Sequence, residues 1–512
     1  MSEQYKNDDA NVTIYWGNCL DVLKGMEDES VDSVVTDPPY GLGDARADYI
    51  VDALQLWASG ERGHIPAGKG FMGKSWDAFV PPPAVWDECY RVLKPGGHML
   101  VFAGSRTIDL MGLSVRMAGF EIRDSITWIY AQGFPKSLDV AKAIDKMAGV
   151  EFKEEPASGF GFMNAEGEGG YNVTKNKLTR VGESTEEAQK WKGWGTALKP
   201  ASEPILVARK PLSEKNVALN VLKHGTGGIN IDASRIGSEE RTYKGMSANV
   251  PDVGTFRDDA WVPKDIEVTV SGRFPTNVLF QHADSCMLVG EVEDSYVINK
   301  TEDWTGFGQV ERPDYKSSGQ TAKIEVYECV EGCPVAELDK QSGFSSTKRN
   351  EKPSSVRDEA NTWGGTIQQN RGARGHTDAG GASRFFFVAK ANKKDRNEGL
   401  GELAEEKGKV FNGKSETGAG KAEGSVEDKF STAPQKNFHP TVKPTSLMKY
   451  LVEMVTPVGG VVLDPFTGSG STGKAAVQAG VGFIGIEMTK EYLPIIVGRI
   501  IHEIEKKDGT LF

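Results

Sequence analysis

The tetrapeptide Asp37-Pro38-Pro39-Tyr40 places a carboxylate, backbone carbonyls and an aromatic ring at the end of the apolar run Val31–Thr36. Proline has no N–H to donate and fixes its own φ, so two consecutive prolines predict a rigid, extended turn that ends a strand. In such a turn the Asp37 carboxylate and a carbonyl can accept the two hydrogens of a planar NH2 group, while the Tyr40 ring stacks on the attached heterocycle. The string alone also fits a turn that does nothing more than end a strand.

A second motif, near the other end of the chain, has the plan of a nucleotide-binding βαβ unit. An apolar strand, Val461–Asp464, runs into a glycine-rich turn and a helix, and a second strand, 482–486, is followed by Glu487. Glycines let the backbone approach a ligand closely, and an acid at the tip of the second strand can accept both hydroxyls of a ribose.

The glycine spacing leaves two classes of ligand open. Gly468, Gly470 and Gly473 satisfy the dinucleotide signature G-x-G-x-x-G, whereas 468–474 satisfies most of a phosphate-binding P-loop. Ala475 stands where a P-loop needs Ser or Thr for Mg²⁺, and neither signature explains the tetrapeptide at 37–40. A P-loop ATPase or nucleotide-binding module therefore remains an alternative from a different class.

The elements that must position these two motifs alternate between strand and helix in residues 1–150. The predicted strands are 12–16, 31–36, 98–103 and 122–130, and the predicted helices are 19–26, 81–93 and 108–118. This order predicts a doubly wound, mostly parallel α/β sheet, whose missing first strand is supplied by Val461–Asp464. Ligands bind such sheets beyond the carboxyl ends of the strands, where the strand order reverses, so both motifs should line one cleft.

Composition favours a globular enzyme of a reducing compartment. A chain of 512 residues has ample core for two or more domains. No apolar run reaches the ~20 residues that span a bilayer, and the first residues are polar, without the pattern of a signal peptide. Five cysteines in so long a chain do not indicate a disulfide scaffold. We therefore expect a cytoplasmic protein with no membrane partner.

The formal net charge of −12 argues against a nucleic-acid partner unless positive charge is concentrated locally. The stretch 371–396 provides such a concentration, with a glycine-rich first half that suits a loop lying along phosphates. Its basic residues are Arg371, Arg374, Arg384, Lys390, Lys393, Lys394 and Arg396, against Asp378 and Asp395. A solvated surface run is the alternative.

Three motifs together resemble the S-adenosylmethionine-dependent DNA amino-methyltransferases, which modify adenine N6 or cytosine N4. They are DPPY at 37–40, HPTVKP at 439–444 and DPFTGSGSTG at 464–473. Their order resembles the permuted group, which carries the catalytic motif first and the cofactor motif last. Long phage- and prophage-type members share further phrases, found here at 133–137, 199–204, 273–277 and 389–391. The resemblance implies a circularly permuted class I methyltransferase fold with a large inserted target-recognition region.

The resemblance also implies a role for each motif. Asp37 and the Pro38 carbonyl would accept the two N–H groups of the target amine, Pro39 would fix the turn, and Tyr40 would stack on the base. S-adenosylmethionine would lie against the glycine-rich unit, with Glu487 on its ribose hydroxyls. Lys443 would contact its methionine end, and the pocket would be shaped by Asp464, Pro465, Phe466, Gly468, Ser469 and Gly470.

The tripeptide Asn18-Cys19-Leu20 follows the first predicted strand, where related enzymes usually carry Asp-Cys-Leu beside the adenine of the cofactor. Asparagine can accept the adenine amine only through its amide oxygen. The departure from aspartate therefore puts this expected contact in doubt without excluding it.

The activity that the resemblance implies is site-specific methylation of double-stranded DNA, with the target base flipped into the pocket. Asp rather than Ser at position 37 favours the N6 amine of adenine, and the N4 amine of cytosine is the alternative. C5 methylation of cytosine is disfavoured, because no Pro-Cys nucleophile context occurs in the sequence. A homodimer and a cognate restriction endonuclease are the further partners that the family suggests.

An inserted region, 151–435, separates the two predicted parts of the catalytic domain, 1–150 and 436–512. By analogy, its ordered part is expected to hold target recognition. Two apolar runs in it, 203–209 and 384–390, are predicted strands and candidate edges of the catalytic sheet. The tract 397–435, rich in Gly, Lys, Glu and Ser, has the composition of a loop or linker.

One group of residues in the inserted region has the types that bind metal. His282-x3-Cys286 is followed by Cys329-x3-Cys333. Three cysteines and one histidine in two pairs match the ligand set of a structural Zn²⁺ site, and a metal would stabilise a region with few apolar residues. The alternative is that Cys286 is a small buried apolar residue and the other three are incidental.

Overall fold

The computed structural model describes residues 2–43, 46–68, 77–131, 137–150, 153–156, 178–181, 184–246, 265–283, 285–294, 322–343, 345–346, 379–389, 393–401, 403 and 436–509. In these ranges the strands are β1 Ser2–Asn7, β2 Val12–Trp16, β3 Val31–Thr36, β4 Leu93–Phe102, β5 Glu121–Ile129, β6 Lys153–Pro156, β7 Leu178–Val181, β8 Ser202–Arg209, β9 Ile236–Met246, β10 Asp265–Arg273, β11 Val278–Gln281, β12 Met287–Asp294, β13 Ala322–Glu328, β14 Ser345–Ser346, β15 Ala379–Gly380, β16 Phe387–Ala389, β17 Val461–Asp464 and β18 Gly482–Glu487. The α-helices are α1 Cys19–Leu23, α2 Ala47–Ser59, α3 Pro83–Val92, α4 Ile108–Met117, α5 Val140–Met147, α6 Glu186–Lys190, α7 Val217–His224, α8 Pro334–Ser342, α9 Lys393–Asn397, α10 Thr445–Val455, α11 Ser471–Ala479 and α12 Leu493–Lys507. Short 3₁₀ helices cover Ala382–Phe385 and Lys490–Tyr492.

Ten of these strands form one sheet, in the order β1-β2-β18-β17-β3-β4-β8-β5-β11-β16. Neighbouring strands are parallel, except that β1 is antiparallel to β2 and β8 is antiparallel to both β4 and β5. The chain runs from β17 through α11 to β18 on one side, whereas β3 leads to β4 on the other. The fold is therefore the predicted doubly wound, mostly parallel α/β sheet. Its strand order reverses between β17 and β3, which carry the two sequence motifs.

The two motif strands, β3 and β17, have the bounds that the sequence predicts, whereas the middle of the chain differs from prediction. The expectation that 203–209 could form a sheet edge is wrong, because β8 lies between β4 and β5. Residues 205–208 of β8 are consecutive, apolar and buried, as in strands that are covered on both faces. The other candidate, 384–390, does contain an edge strand, β16, which pairs with β11, a strand without a counterpart among the predicted ones.

Helices cover both faces of the sheet. Val35 and Val462 belong to an apolar cluster with α10, α11 and α12, whereas Val34 and Leu463 belong to a second cluster with α3 and α4. Successive side chains of a strand point to opposite faces, and here both faces are apolar. Polar groups that act on a ligand are therefore left to the ends of the strands.

The chain divides into two compact units, one of residues 1–131 and 202–512 and the other of residues 132–201. The first unit contains the sheet, together with the hairpins β9–β10, β12–β13 and β14–β15. In the second unit, the Asp145 carboxylate on α5 accepts hydrogen bonds from Ser184 Oγ at 2.6 Å and from Thr185 N at 3.0 Å. Of the helices in the described ranges, none is long and apolar enough to cross a membrane.

Candidate functional site

A lysine from the C-terminal part of the chain contacts the tetrapeptide 37–40 at the end of β3. Lys443 Nζ lies 2.6 Å from Asp37 Oδ2 and 3.3 Å from Glu203 Oε2. The Tyr40 hydroxyl lies 2.7 Å from Asp37 Oδ1 and 2.8 Å from Glu203 Oε2. Two carboxylates thus share one ammonium and one phenol, which fixes the orientation of Asp37.

The charges in this group depend on one another. Burial raises the pKa of Asp37, the Lys443 cation lowers it and Glu203 raises it again, with a net rise. For Lys443, burial lowers the pKa, but Asp37 and Glu203 outweigh burial and hold it above the ordinary value. Burial raises the pKa of Tyr40 well above its usual range. Lys443 is therefore an ammonium and Tyr40 a neutral phenol, and the ammonium is the group that favours ionised Asp37.

Glu203 is a site residue that sequence reasoning missed. It lies near the start of β8, and β8 is antiparallel to β4, with Ile205 paired to Phe102. An antiparallel strand brings its beginning to the edge at which the parallel strands end, which places Glu203 beside the end of β3. The signal available in the sequence was an acid directly before Pro and an apolar run, but strand direction cannot be read from that pattern.

Hydrogen bonds join the end of β3 directly to the glycine-rich turn. Thr36 Oγ1 donates to Asp464 Oδ1 at 2.6 Å, and Thr472 Oγ1 donates to Asp464 Oδ2 at 2.6 Å. The N–H of Phe466 also donates to Asp464 Oδ1, at 3.1 Å. Burial raises the pKa of Asp464 to about 6, although these bonds lower it. Asp464 thus shapes the turn through its partners, and the two motifs are one structural unit.

The remaining part of the turn presents backbone to a ligand. Glu487 accepts the N–H of Gly468 on Oε2 at 2.9 Å and that of Thr489 on Oε1 at 2.7 Å. Each carboxylate oxygen keeps capacity for one further donor, as paired ribose hydroxyls require. Gly468 has φ +57°, and a Cβ there would lie 2.9 Å from His439 Nε2, so only glycine fits. The donor and acceptor set suits a nucleoside ligand.

The glycine-rich turn is held in place by contacts with α12 and with α3. Ser469 and Gly470 lead into α11, and Arg499 Nη1 donates to the Ser469 carbonyl at 2.7 Å. Phe466, after Pro465, packs edge-to-face on Trp86, with 6.3 Å between the ring centroids. These contacts are internal to the protein and fix the turn.

The segment 439–444 bridges the two motifs. Ser471 Oγ, at the start of α11, donates to the Lys443 carbonyl at 2.8 Å, while Lys443 Nζ reaches Asp37. Burial lowers the pKa of His439 to about 3, so its imidazole is neutral, and its Nδ1 accepts the N–H of Thr441 at 3.3 Å. Lys443 therefore contacts the carboxylates of Asp37 and Glu203, and its expected contact with the cofactor stays a prediction.

The tripeptide Asn18-Cys19-Leu20 lies beside Glu487, because β2 is parallel to β18 and Gly17 N donates to the Glu487 carbonyl at 3.0 Å. Asn18 is the N-cap of α1, and its amide oxygen accepts the N–H of Leu20 at 2.9 Å. That oxygen is the atom expected to accept a ligand amine, and it keeps capacity for one more bond. Burial raises the pKa of Cys19 to about 12, so its thiol is neutral.

The contacts of Lys474 contradict the P-loop alternative. It is 1% exposed, and its Nζ lies 2.8 Å from Asp395 Oδ1 and 2.6 Å from Glu398 Oε2. A P-loop lysine must reach the phosphates of a nucleotide, whereas this one is buried between two carboxylates. Asp395 also accepts the N–H and hydroxyl of Thr445 at 2.9 and 2.6 Å, so α9 braces the start of α10. The P-loop interpretation is wrong, and the lysine is structural.

Replacing Lys474 by methionine is expected to lower the free energy of unfolding by about 3–5 kcal/mol, because it removes a buried ammonium and leaves the partly buried carboxylates of Asp395 and Glu398 without their main cation. Chemical denaturation with urea measures the change. Lys449→Met is the matched control, because Lys449 pairs with Glu453 one turn away on a partly exposed face of α10. That pair is worth about 0.3–0.5 kcal/mol. Equal losses in the two variants would contradict the structural role of Lys474.

Two arginine side chains of the basic stretch 371–396 are described, and both contact the protein itself. Arg384 Nη1 donates to the Gly381 carbonyl at 2.5 Å, and Arg396 Nη2 donates to the His439 carbonyl at 2.6 Å. The side chains of Arg371, Arg374, Lys390, Lys393 and Lys394 lie outside the described set. A phosphate contact by this stretch stays a prediction.

The four residues with metal-binding side chains lie together. One ligand atom from each of His282, Cys286, Cys329 and Cys333 can be chosen so that all lie within 4.8 Å of one another. The two pairs, separate in sequence, are therefore neighbours in space.

Comparison with known proteins places short stretches of the chain beside DNA methyltransferases. M.HpaI, a type II methyltransferase of Haemophilus parainfluenzae, is 30% identical over 122 residues, which are 23% of this chain and 32% of that protein. The DNA adenine methyltransferase YhdJ of Escherichia coli (strain K12) is 44% identical over 62 residues, which are 12% of this chain and 21% of YhdJ. The chain thus matches less than a third of the length of these two curated relatives.

A solved structure described as PvuII DNA methyltransferase (cytosine-N4-specific) aligns with 97% of this chain and 90% of its own, at 12% identity and a TM-score of 0.35. The model of a family described as DNA methylase, of the N6/N4 methyltransferase type, matches residues 31–224 and 280–498. These ranges contain both sequence motifs and most of the residues of the sheet. The chain belongs to the DNA methylase family.

Proposed function

We propose that this protein transfers a methyl group from S-adenosylmethionine to the N6 amine of adenine in double-stranded DNA. The observation that carries the proposal is the set of hydrogen bonds made by Lys443 and Thr36. Lys443 and Thr36 join the amine-binding tetrapeptide to the glycine-rich turn at the switch point of the sheet. An acceptor for an amine and a surface for a nucleoside cofactor thus lie at one edge.

When bound, S-adenosylmethionine supplies a sulfonium methyl group whose leaving group departs as a neutral thioether. The Asp37 carboxylate and the Pro38 carbonyl accept the N–H groups of the amine, which aims its lone pair at the methyl carbon. Asp37 then takes up the proton that the amine loses when its new N–C bond forms. Orientation of this kind can lower the barrier by ~7–11 kcal/mol. The target base must leave the duplex to reach Asp37, which requires base flipping.

Two features support adenine as the target. Aspartate rather than serine at position 37 favours the N6 amine, and YhdJ, which is 44% identical over the matched 62 residues, is described as an adenine methyltransferase. Glu487, Asn18 and the glycine-rich turn are the proposed cofactor contacts. The ordered part of the inserted region is the proposed place of target recognition.

The test is transfer of labelled methyl from S-adenosylmethionine to unmethylated double-stranded DNA, followed by digestion to nucleosides and mass spectrometry. We expect the label in N6-methyl-2′-deoxyadenosine. Label in N4-methyl-2′-deoxycytidine would overturn the choice of base and keep the reaction type. The absence of transfer to any DNA, with the same preparation binding S-adenosylmethionine, would overturn DNA as the substrate.

A further inference from the structure

Two short turns of similar form bring His282, Cys286, Cys329 and Cys333 together. In the first turn, the N–H of Cys286 donates to the carbonyl of Ala283 at 2.9 Å, and in the second, the N–H of Cys333 donates to the carbonyl of Val330 at 3.2 Å. Each turn therefore begins directly after one ligand residue and ends on the next. Two such turns facing each other present four ligand atoms to one point.

The spacing of these atoms suits a tetrahedral ion. The Sγ atoms of Cys329 and Cys333 lie 3.4 and 3.6 Å from His282 Nδ1, and all four ligand atoms fall within 4.8 Å. In a tetrahedral Zn²⁺ site with Zn–S near 2.3 Å and Zn–N near 2.0–2.1 Å, neighbouring ligand atoms are roughly 3.5–3.8 Å apart. Three thiolates and one imidazole are also the ligand types that zinc prefers over hard cations.

The surroundings close the site on several sides. His282, Cys286 and Cys333 are buried, and Cys329 is partly exposed. The His282 ring is stacked on Tyr327 with 4.0 Å between centroids, which fixes its plane. The residues around them, Phe280, Ala283 and Val335, form only a small apolar cluster. A core of this size needs a further cross-link, as small metal-bound modules do.

We propose that His282, Cys286, Cys329 and Cys333 bind a structural Zn²⁺ ion that clamps the base of the β12–β13 hairpin. Met287 pairs with Glu328 in the first rung of that hairpin. Cys286 directly precedes this rung and Cys329 directly follows it, so one ion joins both ends of the hairpin. All four ligands are supplied by protein, which makes the site structural rather than catalytic.

The clamp also attaches the hairpin to the sheet. His282 directly follows β11, and Cys333 is the N-cap of α8. The Asp339 carboxylate on α8 accepts the N–H and the hydroxyl of Ser383, both at 2.7 Å, just before the edge strand β16. One ion therefore holds β11, the hairpin and α8 together. It lies on the side of the sheet where the parallel strands β3, β11 and β17 have their carboxyl ends. Residues 287–289, at the start of β12, are apolar but exposed, so they contribute little to a core. The ion would hold this part of the hairpin in place.

The experiment measures metal in the full-length protein, purified without an affinity tag and under reducing conditions. We expect about one zinc per chain by mass spectrometry of the metal, falling at least tenfold in Cys329→Ser, the variant at the most exposed ligand. Co²⁺ in place of zinc should give the intense visible absorption of a tetrahedral thiolate site, lost in the same variant. Hydrogen exchange with and without a chelator should show loss of protection in β12, β13 and the start of α8, which the ion joins, and unchanged protection in β3 and β17.

Cys89→Ser is the matched control, because Cys89 is a fully buried cysteine in the apolar cluster formed with α3 and α4, away from the four proposed ligands in sequence. It should keep its zinc and its cobalt spectrum. Protein that is purified metal-free and binds neither added Zn²⁺ nor Co²⁺ would overturn the proposal. Equal zinc content in Cys329→Ser and in the wild type would do the same, because the metal would then be bound elsewhere. Folding of Cys329→Ser is checked by its unchanged protection in β3 and β17.

Discussion

Replacing Asp37 by alanine is expected to slow methyl transfer by about 10²–10⁴-fold, the range that a positioned acid–base group contributes. In the proposed mechanism, the variant loses the carboxylate that accepts an amine N–H and takes up the released proton. It keeps Lys443 within 3.3 Å of Glu203 and the Tyr40 hydroxyl within 2.8 Å of the same carboxylate, so no charge is left unpaired. Single-turnover transfer to DNA measures the rate, and the Kd for S-adenosylmethionine should change little.

Asp32→Ala is the matched control for this variant. Asp32 lies at the opposite end of the same strand, and its carboxylate pairs with Lys94 Nζ at 2.6 Å, the distance found between Asp37 and Lys443. Its loss should lower the unfolding midpoint and leave the rate per folded molecule unchanged. Transfer by Asp37→Ala at the wild-type rate would contradict the proposed role of Asp37. So would an equal loss of rate in folded Asp32→Ala.

The part of the site that sequence predicts is the part encoded by local patterns. The apolar run of β3 ends at consecutive prolines, and the run of β17 ends at a glycine-rich turn. The bounds of both strands, and the expectation that a ligand binds at their carboxyl ends, therefore follow from residues close together in sequence. The adjacency of the two strands also follows, because a doubly wound sheet lacks a strand unless β17 completes it. The fold class and the common edge of the two motifs therefore needed no knowledge of tertiary contacts.

The part that sequence could not predict depends on strand direction and on long-range pairing of charges. Glu203 lies at the site only because β8 runs antiparallel to its neighbours. Lys474 fits a P-loop pattern, and only its contacts with Asp395 and Glu398 show that it is structural. The contact of Lys443 with Asp37 was not expected either, because a lysine side chain is long enough to reach either of two sites at one edge; its contact with the cofactor stays a prediction. In each case the residue type indicated a polar or charged role, but the sequence did not reveal which residue it would contact.

The ion pair at Asp37 predicts how the reaction depends on pH. Burial raises the pKa of Asp37, and the Lys443 cation is the main group that opposes this rise. Lys443→Met should therefore leave Asp37 protonated to a higher pH and move the acid limb of the pH–rate profile upward. At a fixed pH below the limb, the rate should fall about tenfold for every pH unit by which the limb moves. The lost activity should return as the pH is raised.

Glu203 makes the sign of this effect testable. Its negative charge raises the pKa of Asp37, so Glu203→Gln should move the acid limb to lower pH, opposite to Lys443→Met. Lys94→Met, which breaks the equivalent pair with Asp32, should leave the limb in place. If Lys443 instead serves only as a cofactor contact, its loss raises the KM for S-adenosylmethionine at every pH and leaves the limb unmoved. Movement of the limb in the same direction in Lys443→Met and Glu203→Gln would show that charge at Asp37 does not control the rate.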